Sequence, residues 1–241
     1  MRGKAYTTLE ETDLSSFWDR IYLNFMKDNR YMYLVNGLKN TLIITLFAVI
    51  IGVLLGFLVA VVRSTYSKTG KLKLLDKLCG VYLTVIRGTP VMVQLMIMFY
   101  VVFVSSNNKI LVAVIAFGIN SGAYVAEIVR SGIMSIDQGQ FEAGRSLGFS
   151  YSQTMLYIIL PQALRNILPA LANEFIVLLK ETSICGYIGL PDLAKGGDII
   201  RSRTYEAFLP LIAVALIYLI MVAGLSALVK VLERRLRNSD R

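Results

Sequence analysis

Two carboxylates inside a long apolar stretch are the first residues in this sequence whose type and spacing suggest chemistry. Glu174 and Glu181 are seven residues apart. On an unbroken helix this spacing places both carboxylates on one face, about 10 Å apart. One carboxylate could hold the cationic end of a solute such as arginine or lysine, and the other could meet its α-amino group. Alternatively, Glu181 pairs with Lys180, and Glu174 pairs with Arg165 or Asn173.

A second candidate binding region surrounds a predicted helix start. Thr89 as the N-cap and Pro90 as the first helical residue mark that start. Unpaired backbone N–H groups there, together with the Arg87 guanidinium, could receive a carboxylate. Gln94, about one turn later, adds a hydrogen-bonding group. The alternative is that Arg87 anchors the helix at the inner membrane interface or pairs with Glu127.

The third apolar segment carries an acid and a base near its end. Glu127 and Arg130 are three residues apart, which predicts a local ion pair on a helix. Tyr124 in the same segment is a further candidate for solute contact. The candidate solute-binding residues are therefore Arg87, Thr89, Gln94, Tyr124, Asn173, Glu174 and Glu181.

The residue inventory excludes several kinds of chemistry. The chain has no histidine and two cysteines, Cys79 and Cys185. This excludes Ser-His-Asp and Cys-His nucleophile pairs and every metal site that contains histidine, and it does not support a disulfide framework. We expect no catalytic residues, no metal and no cofactor.

The composition favours a membrane protein. Of the 241 residues, 56% are hydrophobic and 17% are charged, against about 45–50% and about 25% in soluble domains. The formal net charge is +9. We expect no nucleic-acid binding, because the basic residues lie in the connections between apolar segments rather than together on one folded face.

Five apolar segments predict an all-α membrane protein with five transmembrane helices. The first lies between Lys39 and Arg63 and the fifth between Glu206 and Lys230, and each has 23 uncharged residues. As a helix, each is about 34 Å long, enough to cross a ~30 Å hydrocarbon core. The other three segments run over residues 88–108, 110–126 and 146–164, and the last continues to residue 179.

The positions of lysine and arginine predict the orientation. Basic residues near span ends accumulate on the cytoplasmic side, which makes the connections after spans one, three and five the inner ones. The N-terminus is then outside and the C-terminus is cytoplasmic. The basic residues that decide this are Arg63, Lys68, Lys71, Lys73, Lys77, Arg130, Arg145, Lys230, Arg234, Arg235 and Arg237.

The N-terminal segment, residues 1–36, has no apolar core long enough for a cleavable signal peptide. Apolar residues recur in it at helical spacing, which predicts either a helix on the membrane surface in contact with lipid or a helix packed against a partner subunit. These residues are Leu14, Phe17, Trp18, Ile21, Tyr22 and Phe25.

The inner connection between spans three and four predicts a separate short helix over about residues 137–149. Gly148 supplies a left-handed residue that ends a helix, and Ser150 with Gln153 forms a capping box for the next one. Ala143, Gly144 and Leu147 give the helix a small, partly apolar face that could fit a groove on another protein.

This connection resembles the EAA motif of ABC importer permeases. In that motif, Glu-Ala-Ala is followed by Gly and, ten residues later, by Ile-x-Leu-Pro. Gly144 stands where the family has its second Ala. Four further stretches, RGTPVMVQ, SGAYVAEIVRSG, PQALRNILPALANEF and LLKETS, are similar to the polar amino acid branch, and the resemblance covers residues 37–235. The matching positions are Glu142, Ala143, Gly144, Gly148, Ile158, Leu160 and Pro161.

The resemblance implies the fold of a type I ABC importer permease, a mechanism and a set of partners. Two permease subunits, here expected as a homodimer, form the pathway, and a dimer of cytoplasmic ATPases grips the EAA helices. An external binding protein delivers the amino acid. Glu142, Ala143, Gly144 and Gly148 would be the residues that couple the permease to the ATPase. The chain has no G-x-x-x-x-G-K-[ST] loop, so ATP hydrolysis is expected from the partner.

We therefore expect the permease subunit of an ATP-driven importer of polar, preferably basic, amino acids (arginine, lysine or histidine) in the bacterial inner membrane. Residues 37–235 form its transmembrane domain and residues 236–241 its cytoplasmic tail. Another polar amino acid, such as glutamine, glutamate or cystine, is the first alternative. An ion-coupled secondary transporter is the second, although no inverted repeat is visible.

Overall fold

The computed structural model of the protein describes residues 16–238, apart from the side chains of residues 68, 69, 237 and 238. Every regular element in this part of the chain is helical, which confirms the predicted all-α class. The helices are α1 (Tyr31–Thr69), α2 (Lys73–Gly88), α3 (Val91–Ile97), α4 (Lys109–Met134), α5 (Gln138–Ser146), α6 (Tyr151–Thr154), α7 (Leu160–Glu181), α8 (Leu193–Thr204) and α9 (Phe208–Asn238).

Shorter helical turns complete the described chain. Residues 16–21 are helical and continue into a π-helical turn, Tyr22–Met26. Two further π-helical turns, Met98–Val102 and Met155–Ile159, extend α3 and join α6 to α7. The second of these turns ends two residues before Pro161, which has no backbone N–H to donate.

Four helical stretches among the described residues are long and apolar enough to cross a membrane: Tyr31–Ser67, Lys109–Met134, Tyr151–Ile188 and Phe208–Leu236. A fifth candidate is a broken pair, Lys73–Gly88 and Val91–Val102, whose two parts are bent by 111°. The number of spans agrees with the sequence prediction.

The second span differs from its predicted extent. The sequence predicts one helix over residues 88–108 and assigns Lys73 and Lys77 to a loop, whereas both lie on α2. Thr89 was also predicted wrongly as an N-cap: its hydroxyl donates to the Val85 carbonyl at 2.8 Å, so it closes α2, and Pro90 is the N-cap of α3. The break follows from Pro90, because a residue before proline is driven out of helical geometry.

The chain packs as two compact units. One comprises Met1–Leu42 and Ser183–Ile220, and the other comprises Ile43–Thr182 and Met221–Arg241, as far as these residues are described.

In the first unit, the N-terminal segment is tied to Glu206, which lies two residues before the start of α9. Arg20 forms an ion pair with Glu206, and Asn24 Nδ2 donates to the same carboxylate at 2.7 Å. The Arg20 hydrogen bond, aided by that of Asn24, holds the pKa of Glu206 below its usual range. Leu14 of the predicted amphipathic helix lies outside the described residues. Its aromatic residues Phe17, Trp18 and Tyr22 are exposed.

Helix α8 packs within the first unit through its N-terminal end. The side chain of Asp192 caps the helix by accepting from the backbone N–H groups of Ala194 at 3.0 Å and Lys195 at 3.2 Å. Asn40 Nδ2 donates to the Pro191 carbonyl at 2.8 Å. Burial raises the pKa of Asp192 to about 6.

In the second unit, α4 is the central helix, with more than half of its residues buried. It lies very close to α1, because small residues meet across the contact. A Cβ atom at Gly56 would lie 2.5 Å from Val125 Cγ1, and one at Gly118 would lie 2.7 Å from Ile51 Cγ2. Helix α7 packs on α4 through Ile167. The second unit thus fixes α4 between α1 and α7.

Candidate functional site

The candidate coupling helix, α5, is defined by local hydrogen bonds at both ends. Asp137 caps its start by accepting from the Gly139 N–H. Gly148 has φ +82, and the N–H groups of Gly148 and Phe149 donate to the carbonyls of Arg145 at 3.0 Å and Gly144 at 3.1 Å. This is a Schellman ending. The predicted helix stop at Gly148 is confirmed.

The next helix begins as predicted. Ser150 and Gln153 form a reciprocal capping box at the start of α6. Two consecutive caps therefore separate α5 from the fourth span. Phe141 stacks on Tyr151, with ring centroids 6.3 Å apart, and adds a contact between α5 and α6.

The predicted coupling residues do not all lie on one face of α5. Glu142, Ala143 and Leu147 are exposed, and the Glu142 side chain forms no hydrogen bond or ion pair within residues 16–238. Gly144 was predicted on the same face, which is wrong, because it is buried against Thr154. A Cβ atom at Gly144 would lie 2.6 Å from Thr154 Cγ2. The missing methyl group at position 144 thus allows close packing.

Polar side chains in the second unit form what we name the polar seam: Thr89, Gln94, Asn120, Ser121 and Glu174. Gln94 Nε2 donates to Thr89 Oγ1 at 2.7 Å, and its Oε1 accepts from Asn120 Nδ2 at 2.9 Å. Ser121 Oγ donates to Glu174 Oε1 at 2.9 Å. These hydrogen bonds form two groups that meet at neighbouring residues near the middle of α4: Gln94 and Asn120 tie the α2–α3 break to α4, and Ser121 ties α4 to Glu174 of α7.

The seam contains the partners that sequence reasoning missed. Asn120 and Ser121 are almost completely buried, and neither is among the candidate solute-binding residues predicted from the sequence. Their polarity could have identified them, because a polar side chain that is buried in an apolar span needs a hydrogen-bond partner. Glu174 binds neither Arg165 nor Asn173 in the described chain, contrary to the alternative above.

An ionic cluster lies next to the seam along α4. Glu127 pairs with Arg130, and Arg87 Nη1 lies 3.6 Å from Glu127 Oε2. The Arg87 guanidinium also lies 5.9 Å from the ring centroid of Tyr124. Arg87 is in the last turn of α2 and not at a helix N-terminus. Two guanidinium groups share one carboxylate, so the cluster keeps one net positive charge.

Among the predicted solute-binding residues, Thr89 contacts Gln94 and Arg87 lies beside Tyr124, whereas Glu174 reaches α4 through Ser121 and contacts none of these four. Asn120, Tyr124 and Glu127 follow i, i+4, i+7 spacing and share one face over about 10 Å. Glu174 and Glu181 lie on the unbroken helix α7, as predicted. Glu181 forms no hydrogen bond or ion pair among the described residues. Asn173 is exposed and does not join the seam.

The chain is similar in sequence to a family of transport proteins and to several of its members. The profile of the family described as "Binding-protein-dependent transport system inner membrane component" matches residues 48–238. The arginine transport system permease protein of Bacillus subtilis (strain 168) is 37% identical over 211 residues, 86% of this chain and 94% of that protein. The glutamine transport system permease protein of Escherichia coli (strain K12) is 35% identical over 229 residues, 93% of this chain and 98% of that protein.

A solved structure is also similar. The crystal structure of an amino acid ABC transporter with histidines has 44% sequence identity and a TM-score of 0.79, and the match covers 88% of this chain and 98% of that one. The predicted permease fold is confirmed by this similarity.

Proposed function

The chain belongs to the family of inner membrane components of binding-protein-dependent transport systems, and we propose that it is the permease subunit of an ATP-driven importer of basic amino acids. Membership of this family implies a multi-pass inner-membrane subunit that works with an ATPase and a binding protein. The preference for arginine, lysine or histidine is the finer part of the proposal, and glutamine, glutamate or cystine is the alternative.

The observation that carries the preference is the Glu174 carboxylate at the polar seam. An ionisable group at membrane depth is costly and is most often functional. Ser121 donates to one carboxylate oxygen of Glu174, which fixes the group and leaves the other oxygen available to a cation. Glu181 lies seven residues further along the same helix face and supplies a second carboxylate. The distance between the two carboxylates is about the distance between the two ends of a long solute.

The carboxylate of the amino acid is proposed to bind at the ionic cluster. The cluster has one positive charge in excess, and Arg87 can exchange its 3.6 Å contact with Glu127 for a charge-assisted bond to the solute. Tyr124 lies beside Arg87. Thr89, Gln94 and Asn173 supply further polar groups, the first two already oriented by the seam.

Movement of solute is proposed to follow alternating access. Two identical permease subunits form the pathway, and partner ATPases hydrolyse the ATP. The ATPases bind the exposed face of α5, with Glu142 as the charged contact, and α5 moves the fourth span through its packing on Thr154. The N-terminus is outside, and the helical residues 16–26 lie at the membrane surface or against a partner, a role that suits the exposed Phe17, Trp18 and Tyr22.

Uptake measurements test the preference. In proteoliposomes that contain the full transporter, Glu174→Gln and Glu181→Gln should each reduce uptake of a cationic amino acid by at least about tenfold, because each removes a charge-assisted bond in a water-poor site. Uptake of glutamine should change little. Glu233→Gln, an exposed acid near the end of α9, is the matched control. Equal losses for both solutes would contradict the pairing of a carboxylate with a cation.

A further inference from the structure

A large cavity lies in the second unit beside the C-terminal half of α1. Its volume is about 1050 Å³, at the upper end of the ~300–1,000 Å³ of small-molecule pockets. A smaller cavity of about 350 Å³ adjoins it, since the two share Ala60, Ser64, Ile133, Tyr151 and Met155. The apolar lining of the larger cavity includes Phe57, Val61, Val129, Phe149, Leu156 and Leu160.

Among the described residues, the lining of the larger cavity contains one cation and no acid. Arg145 is exposed and forms no hydrogen bond or ion pair within the described part of the chain. The hydroxyl-bearing side chains Ser64 and Ser152 line the same cavity. The two arginines of the smaller cavity are different, because Arg63 lies 3.4 Å from Asp76 and Arg130 binds Glu127. Arg145 is therefore the charge available to an anionic ligand.

The surrounding surface indicates how an apolar ligand would enter. Leu54, Leu58 and Val61 on α1 are 61–68% exposed, and Leu156 beside the cavity is 55% exposed. Val61 and Leu156 also line the cavity, so this exposed apolar surface continues into it. A helix that crosses a membrane presents such a surface to lipid acyl chains.

We infer that this cavity binds one anionic phospholipid of the cytoplasmic leaflet, with its phosphate at Arg145 and its acyl chains along α1 and Leu156. A basic pocket between membrane helices on the cytoplasmic side is a known setting for anionic headgroups. A free phosphate would leave the apolar lining unfilled, and a small polar amino acid would find one charge among apolar walls. The assignment to the cytoplasmic leaflet rests on the proposed function, which places α5 in the cytosol.

The position of the lipid gives it a role in coupling. The cavity is lined by α1, by α4 and by residues on both sides of the two caps that separate α5 from α6, namely Arg145, Phe149 and Tyr151. A bound lipid therefore contacts the end of the candidate coupling helix and two spans of the same unit. The efficiency with which α5 transmits motion would then depend on the amount of anionic lipid in the membrane.

Native mass spectrometry of the intact transporter complex tests the inference. The complex is incubated with phosphatidylglycerol or phosphatidylcholine of identical acyl chains, and retained lipid is counted. Phosphatidylglycerol should be retained preferentially, and Arg145→Gln should lower its retention about fivefold. Arg234→Gln removes an equal charge from an exposed position in α9 and should have no effect. Ser64→Phe places an aromatic ring inside the cavity and should lower retention further, and inorganic phosphate should not compete.

Three results would overturn the inference: equal retention of the two lipids, retention that is unaffected by Arg145→Gln, or a cross-link from Ser64→Cys to a protein subunit that covers the cavity. The same sample separates this failure from that of the proposed function. If the complex with the ATPase assembles and amino acids stimulate ATP turnover, but lipid selectivity is absent, only the lipid site is wrong. If no ATPase binds the chain, the permease function itself fails.

Discussion

The candidate coupling helix and the polar seam are built in opposite ways. Helix α5 is bounded by hydrogen bonds between residues at most five positions apart, from Asp137 to Gln153. The seam joins residues up to 53 positions apart, such as Ser121 and Glu174. A locally defined element keeps its shape when its surroundings move, whereas a seam built across three helices depends on their relative positions. Helix α5 therefore suits an element that transmits movement as a rigid body, and the polar seam suits a binding site that opens and closes.

The largest expected effect tests whether α5 couples the permease to the ATPase. Glu142→Ala should abolish amino-acid-stimulated ATP hydrolysis in proteoliposomes while membrane insertion and the solute site remain intact, because Glu142 is exposed and binds no other described residue. Glu233→Ala, a matched exposed acid, should leave coupling unchanged. Normal stimulation in the Glu142 variant would show that α5 is not the contact with the ATPase.

A smaller effect, on thermal stability, distinguishes the buried face of α5 from its exposed face. Gly144→Val should destabilise the permease by about 1–3 kcal/mol, because its side chain has no room beside Thr154. Ala143→Val is the matched control, because it introduces the same valine at the neighbouring, exposed position. It should leave the melting temperature unchanged. Thermal unfolding of the purified permease in detergent measures both. Similar losses in the two variants would contradict the packing described for Gly144.

The smallest expected effect concerns the seam. Ser121→Ala removes the donor to Glu174 and should lower the affinity for a cationic solute about threefold, the typical size of a hydrogen bond between membrane helices. Ser131→Ala is the control, because this serine on the same helix is exposed and donates to its own helix. Solute titration of ATPase stimulation measures the change. An unchanged affinity would remove Ser121 from the solute site.

The same contrast explains what the sequence could predict. The end of α5 and the start of α6 were predicted residue by residue, because the caps at Gly148, Ser150 and Gln153 depend on neighbours in the chain. The membership of the seam was predicted only in part, since Thr89, Gln94 and Glu174 are polar within apolar surroundings. Their partners Asn120 and Ser121 depend on how α3, α4 and α7 pack, which no local pattern specifies.

Two errors have a common physical origin. The extent of the second span was wrong because charges on α2 looked like a loop, although a helix can place Lys73 and Lys77 at its exposed positions. Gly144 was assigned to the outer face because the pattern of α5 does not reveal which side packs on Thr154. In both cases the error concerns which positions of a helix are exposed and which are buried, and tertiary contacts decide that.

The π-helical turn at Met155–Ile159 has a mechanical consequence. Its Ile158 borders α5, since a Cβ atom at Gly144 would lie 3.1 Å from Ile158 Cδ1. The turn is followed by the proline-containing start of α7, where Pro161 donates no backbone hydrogen bond. Helix α4, by contrast, is locked to α1 by contacts that leave no space for a methyl group at Gly56 or Gly118. The π-helical turn and the missing hydrogen bond at Pro161 both make this part of the fourth span easier to bend, so we expect a displacement of α5 to bend the fourth span here while α1 and α4 keep their relative positions.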